Sequence, residues 1–470
     1  MICRSAHASH GWRYHLSRHQ RPTQHLLVLV ACAAWVAGCA GAHESSARRD
    51  FANYPRAARS APDQGGSKQA SGSLDSYLSI ALRSDPDSEA AFARWEASVL
   101  NITRSRRLPD PMIRFGYFLT SVETHVGLEQ AFPWPTKLSA GSDAAAMQAQ
   151  AMQRRLEAVV LGVAERVEEA YWSLWLVREK AKIRRDHLIV LTGLSETVLG
   201  RLASGAASLA EQQQVDLSAA RLEDQIATLG EQERTAIAKL AEACGVEQLG
   251  EAPTTSAPPA PAHPKLSELR LRELTRSHPT VVAYEDLAAA QDTAAEAQAA
   301  DALPGFTVGA EWIYMGESQM PNASDNGKHA VVVSAGVSVP LWQGSYSDGE
   351  DSARAEARAY RADRRAAINR ALAQLGVVLS RVRDAARRTR LIEGTLLPQA
   401  ETAYESVLGA YAVGRGTVAQ ALLAQRDLLE LRLDWVDARA EYAKAWSKLE
   451  EVTGRRLEAA IEPQGSDVVR

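Results

Sequence analysis

Hydrophobic residues recur along most of this chain in the 4,3 steps of a packed helix, and in four short places that rhythm gives way to strict alternation. From Thr136 to about Leu202 no proline intervenes. Leu156, Val160, Val163, Val167, Ala170, Leu174, Val177 and Ala181, then Leu188, Leu191, Ser195, Val198 and Leu202, form one seam, broken only where Arg184 takes a seam position. Sustained spacing of this kind predicts a coiled-coil helix. Roughly 65 residues at 1.5 Å each make a rod on the order of 100 Å. A turn at Ala203–Ala207 leads to a return helix from about Ser208 to Cys244, with Leu222, Ile226, Leu229, Ala236 and Leu240 on its seam and Gly245 as expected C-cap. A second long helix is expected from about Ser345 to Val413, through Leu372, Leu375, Leu379 and Val382, later Leu396, Ala400, Ala403, Val407 and Ala410. It returns through Leu428, Leu431, Trp435, Ala438, Tyr442, Ala445, Leu449 and Val452.

The alternating runs read as strands. In the Pro-bounded stretch Leu108–Pro135, Ile113, Phe115, Tyr117 and Leu119 share one face, with Arg114 and Gly116 opposite; Val126, Leu128 and Phe132 then oppose Gly127 and Glu129. The pattern returns at Phe306–Tyr314, with Phe306, Val308, Ala310, Trp312 and Tyr314 against Thr307, Gly309 and Glu311. It returns again at Val331–Val339, where Val331, Val333, Ala335, Val337 and Val339 alternate with Ser334, Gly336 and Ser338. Each run approaches the roughly 9–11 residues that cross a bilayer as a tilted strand. The expected fold is mainly α with a small β part: long coiled-coil hairpins plus four membrane strands.

The second half repeats the first. Ser277-His278-Pro279 stands for Ser84-Asp85-Pro86, Leu303-Pro304 for Leu108-Pro109, Pro340 for Pro133, Gly414 for Gly205 and Gly454 for Gly245, the offset drifting from 193 to 209. An internal duplication is the economical account, with the order helix, hairpin, long helix, turn, helix in each half. Residues 74–248 are read as the first repeat, 249–265 as a Pro/Ala linker, 266–455 as the second repeat and 456–470 as a C-terminal tail, frayed from Glu462 to Arg470.

At the amino-terminal end a basic, polar stretch precedes a 13-residue apolar run, Leu26–Gly38, too short to span a bilayer as a helix. It reads as a secretory signal, residues 1–38. Its Val36-Ala37-Gly38-Cys39 ending resembles the bacterial lipobox, which implies cleavage before Cys39 and lipid on that residue; ordinary signal cleavage nearby is the other reading. Ala40, rather than Asp, follows, a choice that resemblance associates with outer-membrane sorting. Residues 39–73, rich in Ala, Ser, Gly and Arg without periodicity, read as a lipidated flexible tether. Removal of the signal discards Cys3 and Cys32 and leaves Cys244 alone, so no disulfide within the mature chain is expected.

Composition narrows function. A net charge of −4 over 470 residues argues against a dedicated nucleic-acid binder. The arginine-dense stretch Arg354–Arg390, interspersed with Glu356, Asp363 and Asp384, reads as a solvated helix face. The sequence shows no metal-spaced His/Cys/Asp cluster, phosphate-cradling loop or nucleophile elbow, so neither an enzyme nor a cofactor is expected. His187, His263 and His278 read as surface or cap residues.

Spanning strands must close into a barrel, since each unpaired backbone group in lipid costs several kcal/mol. Known single-chain barrels start at about eight strands, so a chain with half that number must assemble. The LPDP start of the first strand, the VETHVGLEQAFPWPTKL passage, the GVSVPLWQGSYS exit and the Tyr411-x-x-Gly414 turn, set in the duplicated order, resemble the TolC-like outer-membrane efflux family over residues 74–455. That resemblance implies a homotrimer, with a 12-stranded β-barrel in outer-membrane lipid above a periplasmic α-helical barrel. It implies export of small molecules or ions, driven by an inner-membrane pump, of the resistance-nodulation-division type, through a periplasmic adaptor. A type I protein-secretion outlet and a non-channel periplasmic coiled-coil lipoprotein are the rivals.

The resemblance also assigns residues. Gly205 and Ser208 in the first helix–turn–helix tip, and Tyr411, Gly414, Arg415 and Thr417 in the second, are the expected adaptor-contacting entrance turns; the glycines also serve the turn geometry itself. Many members of that family carry acidic residues just past the second tip, ringing the closed entrance constriction. Here the positions are Gln420 and Leu423, and the first-repeat equivalent of Gln420 is Glu211, which would form a ring of three carboxylates or simply face solvent. Arg114, Glu129 and Glu311 are expected in the barrel lumen. Trp134 and Trp342 suit an interfacial belt or packing against the tube.

Overall fold

A computed structural model describes residues 42–54, 72–118, 123–250, 253–316 and 328–460. Cys39 and Leu119 lie outside these. In chain order come α1 (Ala42–Asn53), α2 (Leu74–Ser84), α3 (Pro86–Arg106), β1 (Met112–Phe118), β2 (Glu123–Phe132), α4 (Pro135–Ala203) and α5 (Leu209–Ala243). Then follow β3 (His263–Pro264), α6 (Glu268–Arg276), α7 (Pro279–Ala299), β4 (Gly305–Met315), β5 (His329–Ser338), α8 (Gln343–Leu391), a π-turn, α9 (Leu397–Ala412), α10 (Val418–Thr453) and β6 (Ala459–Ala460).

The same local devices shape both halves. Asp85 caps α3 by accepting the Ser88 N–H at 2.8 Å, and Pro86 follows at the first helical position, where a missing N–H costs nothing. His278 caps α7 through Nδ1, accepting the Thr280 N–H at 3.2 Å, ahead of Pro279. Both long helices start directly after the strands, at Pro133-Trp134-Pro135 and Pro340-Leu341-Trp342. With 69 residues, α4 extends on the order of 100 Å.

The described residues share no single globular core. Buried side chains form separate clusters strung along the rods. Trp95, Val99 and Ile102 of α3 meet Ala145, Ala146 and Ala149 of α4 near the sheet end. Midway, Tyr77, Tyr171, Leu174, Trp175 and Leu240 pack together. At the far end Leu194, Val198, Val215, Tyr411 and Val418 do the same. Small residues on α4 and α7 (Ala283, Ala288, Ala290, Ala295 on the latter) let these helices run close together.

Three expectations need correction. Ala42–Asn53 is a helix docked on α3 and α4, not free tether: Ala47 is 1% exposed, and Phe51 meets Trp95 edge-on at 5.1 Å. Apolar residues too few to show a period in sequence are enough when a groove awaits them. The second long helix is interrupted at Ile392–Leu396, because Pro398 cannot donate to the Gly394 carbonyl and its ring crowds that carbonyl; the ladder widens to a π-turn there. The Pro/Ala segment is strapped across the bundle rather than loose. Tyr171 Oη accepts the Ser256 N–H at 2.8 Å, Tyr442 Oη accepts the Ala262 N–H at 2.9 Å, and Arg178 and Arg439 donate to the Pro253 and Pro258 carbonyls. In the tail, Ala459–Ala460 pairs antiparallel with His263–Pro264, and the stretch expected to fray, Glu462–Arg470, lies outside the described residues. Tyr442→Phe should lower stability by about 1–3 kcal/mol, because it strips Ala262 of a buried donor and acceptor partner; a urea or thermal melt measures it.

Candidate functional site: an open sheet and two helical tips

The larger sheet has strand order β1-β2-β4-β5, antiparallel throughout. Its register pairs Arg114 with Gly127, Gly127 with Glu311, Val126 with Trp312 and Ala310 with Val333. Period-two alternation then separates two faces. One carries Ile113, Phe115, Leu128, Trp312, Val331 and Val333, mostly more than half exposed, with Phe115 at 73% and Val333 at 76%. The other carries Arg114, Glu129 and Glu311 together with several glycines. Arg114 bridges to Glu129 at 2.5 Å. Glu311 meets His125 Nδ1 at 2.8 Å, while His125 Nε2 lies 3.4 Å from Glu123 and its ring 4.7 Å from Phe118. His125 was not singled out from sequence, although its i,i+2 spacing to Gly127 and Glu129 puts it on the same face. Trp134 packs on Phe306 in a tilted arrangement with ring centroids 6.0 Å apart, whereas Trp342 is 75% exposed.

Both tips close alike. Gly205 (φ +71°) and Gly414 (φ +77°) take the left-handed conformation, and the next residue's N–H returns to the carbonyl five residues back: Ala206 to Arg201 at 2.7 Å, Arg415 to Ala410 at 2.9 Å. Each return helix then opens with a capping box. Ser208 accepts the Glu211 N–H while Glu211 accepts the Ser208 N–H at 2.8 Å; Thr417 and Gln420 repeat the exchange at 3.3 and 3.1 Å. Glu211 and Gln420 are thereby turned back onto the backbone of their own caps. Arg415 and Leu423 are exposed.

Tyr411 is not part of the tip surface. It is 2% exposed, and Arg201 covers it, 4.6 Å above the ring and donating to the Tyr411 carbonyl at 2.7 Å. Arg201 thus ties the first hairpin to the second. Nothing in the sequence marks a partner 210 residues away.

His187 is likewise buried, at 3% exposure, correcting its reading as a surface residue. Gln425 approaches Nδ1 and Arg432 approaches Nε2, each at 3.5 Å, and Arg432 is held by Glu401 at 2.9 Å. Desolvation, then the Arg432 charge, push its pKa down to about 4, opposed by Asp186. The folded chain therefore refuses a proton that the unfolded chain accepts below about 6.5, so stability is full above that pH and falls as pH drops toward 4. Melts at pH 7.5 and 5.0 should differ by on the order of 1–2 kcal/mol more in the parent than in His187→Gln. Cys244 is buried beside the Tyr77 carbonyl, its thiol pushed up to about 12 by desolvation, and is unsuited to redox chemistry.

Several arginines of α8 bridge to other helices, Arg361 to Asp292, Arg364 to Glu285 at 3.0 Å and Arg383 to Glu268 at 3.0 Å, while Arg387 pairs with Asp384 within α8 at 2.6 Å. Among the described residues no His/Cys/Asp/Glu group could hold a metal, and no helix is long and apolar enough to cross a membrane.

No curated protein matches the chain significantly. Residues 271–455 match the family model described as outer membrane efflux protein. Among solved structures, CusC, studied for conformational changes accompanying folding and transmembrane channel formation, aligns at TM-score 0.68 and 16% identity, covering 81% of this chain and 92% of its own. The outer membrane protein VceC of Vibrio cholerae aligns at 0.66 and 18%, covering 82% and 97%. The open state of the MtrE outer membrane channel of Neisseria gonorrhoeae aligns at 0.66 and 15%, covering 81% and 89%. The chain therefore carries an outer membrane efflux protein domain over residues 271–455 and has, across most of its length, the fold of the TolC-like outer-membrane channels.

Proposed function

We propose that this protein is the outer-membrane duct of a tripartite exporter, three copies forming one channel. The observation that carries this reading is the sheet, which among the described residues has one face of exposed large apolar residues, unpaired edges at β1 and β5, and too few strands to close alone. Pairing β5 of one copy with β1 of the next satisfies both edges, and three copies give 12 strands. The apolar face then meets lipid, while Arg114, Glu129, Glu311 and His125 line an aqueous lumen. Signal removal at Cys39 with lipid attachment there would anchor the assembly, and the two halves descend from one duplicated unit. Energy comes from an inner-membrane pump, reached through an adaptor docked at the tips, where Gly205, Ser208, Gly414, Arg415 and Thr417 are presented. The duct passes small molecules or ions and does no chemistry on them.

The test is planar-bilayer conductance of protein purified from outer membranes, with particle mass from the same preparation. Pores from a three-chain particle support the reading; a monomer or elongated dimer without pores leaves a periplasmic scaffold. Arg201→Ala, which cuts the tie between the two hairpins of one copy, should raise the open fraction several-fold while leaving the trimer intact.

A further inference from the structure

The helix α9 is lightly held for an element that leads to one of the two tips. It begins just after the π-turn at Ile392–Leu396, where the α8 ladder is already broken, and of its 16 residues only Tyr411, at the tip end, is buried. Near its start the hold is an ion pair, Glu401 to Arg432 of α10 at 2.9 Å, with both side chains well exposed to solvent. Beside that pair lies a cavity of about 350 Å³ between α4, α9 and α10, lined by Asp186, His187, Tyr404, Glu405, Gln425 and Arg432. Arg432 thus has two neighbours. One arm of its guanidinium holds Glu401, and the other stands 3.5 Å from His187 Nε2. Gln425 presents its amide nitrogen to Nδ1 at 3.5 Å and donates to the His187 carbonyl at 3.3 Å. Both ring nitrogens therefore face donor groups, which opposes the two N–H groups of an imidazolium.

We propose that His187, Arg432 and Glu401 form an acid-released latch: a proton on His187 expels Arg432, its tie to Glu401 breaks, and α9 swings away from the bundle about the π-turn and opens the entrance. The opening step rests on the channel reading above. The charges around His187 set the sign. Asp186 on its own helix favours the proton and Arg432 on α10 opposes it, while α9 brings Glu401, Glu405 and the Tyr404 hydroxyl to the cavity wall. With α9 docked, burial and then Arg432 outweigh Asp186 and hold the ring at a pKa of about 4. With α9 released, water reaches the ring and the ordinary value of about 6.5 returns. Release therefore takes up a proton below about pH 6.5, whereas above it the ring is neutral in both states and the latch stays shut. The ratio of released to docked α9 should rise about thirty-fold per copy between pH 7.5 and 5.0.

The experiment uses the full-length protein purified in mild detergent, with spin labels at Ser406 on α9 and Asp427 on α10, both exposed. Electron spin resonance reads the distance between them at pH 7.5 and 5.0, and planar bilayers read the open fraction of the same preparation with pH varied on the side of the tips. In the parent a longer distance should replace the docked one as pH falls, and the open fraction should rise in the same window. His187→Gln keeps a neutral amide beside Arg432 and should cut the response from about thirty-fold to under about three-fold. Glu401→Ala, at an exposed position, cuts the same tie from the other side and should release α9 already at pH 7.5. A parental distance that ignores acid, a full acid response in His187→Gln, or α9 still docked in Glu401→Ala overturns the latch and leaves the duct reading standing. A distance that responds to acid in protein that never conducts overturns the duct reading and leaves the latch itself intact.

Discussion

Val333→Arg is expected to abolish the heat-resistant oligomer, while Val332→Arg, one residue earlier, is expected to leave it largely intact. Val333 lies at the middle of β5, opposite Ala310, on the exposed apolar face. An arginine at the bilayer midplane costs about 2–4 kcal/mol per site on a barrel's lipid face, and a trimer carries three. Val332 pairs with Glu311 on the polar face, where a guanidinium finds both water and a carboxylate. A one-residue step reverses the face because the side-chain period in a strand is two. The heat-modifiable band on a gel measures both variants. Equal damage from the two would mean that the apolar face does not meet lipid.

Gly245→Ala should unfold the middle of the rods, whereas Gly205→Ala, with nearly the same backbone conformation, should only weaken a tip. Gly245 has φ +68°, and a Cβ there would stand 2.6 Å from the Ser84 carbonyl oxygen and 2.7 Å from Asp85 Cα. Both are backbone atoms at the α2–α3 corner, so the neighbour cannot turn aside. The left-handed strain of about 1–2 kcal/mol adds to an overpacking cost of about 1–3 kcal/mol. Gly205 has φ +71° with nothing within 4 Å of a Cβ, which leaves the strain alone. Urea or thermal melts should therefore separate the two by at least about 1 kcal/mol, and equal losses would show that the corner yields. Gly454, against His278 and Pro279 at 3.2–3.3 Å, is the intermediate case in the other half.

These contrasts mark how much could be seen beforehand. The long seams were legible because a rod one helix wide must repeat its apolar residues every three or four positions. Glycines at 205, 245, 414 and 454 were legible because a helix end that turns in so few residues needs positive φ. Strand faces were legible from alternation; His125, one position before Val126, extends the polar face of that run. The tips were placed correctly in the chain, yet Tyr411 was assigned to a surface it does not reach. Its burial depends on Arg201, and the sequence holds no sign that these two residues meet.

What the sequence alone determined is therefore local or periodic: where helices run, where they turn, which strand residues share a face and where the chain is punctuated by proline. Those features follow from backbone geometry and from the spacing of apolar side chains within a single element. The tertiary structure decided everything that depends on a partner distant in sequence. It docked α1 through the Glu44–Arg106 ion pair, strapped residues 253–264 across Tyr171 and Tyr442, enclosed His187 between Gln425 and Arg432, and left β1 and β5 as open edges. The physical reason is that burial and hydrogen-bond satisfaction belong to pairs of elements. A tyrosine in a helical seam looks the same whether its hydroxyl meets water or the one segment that needs it.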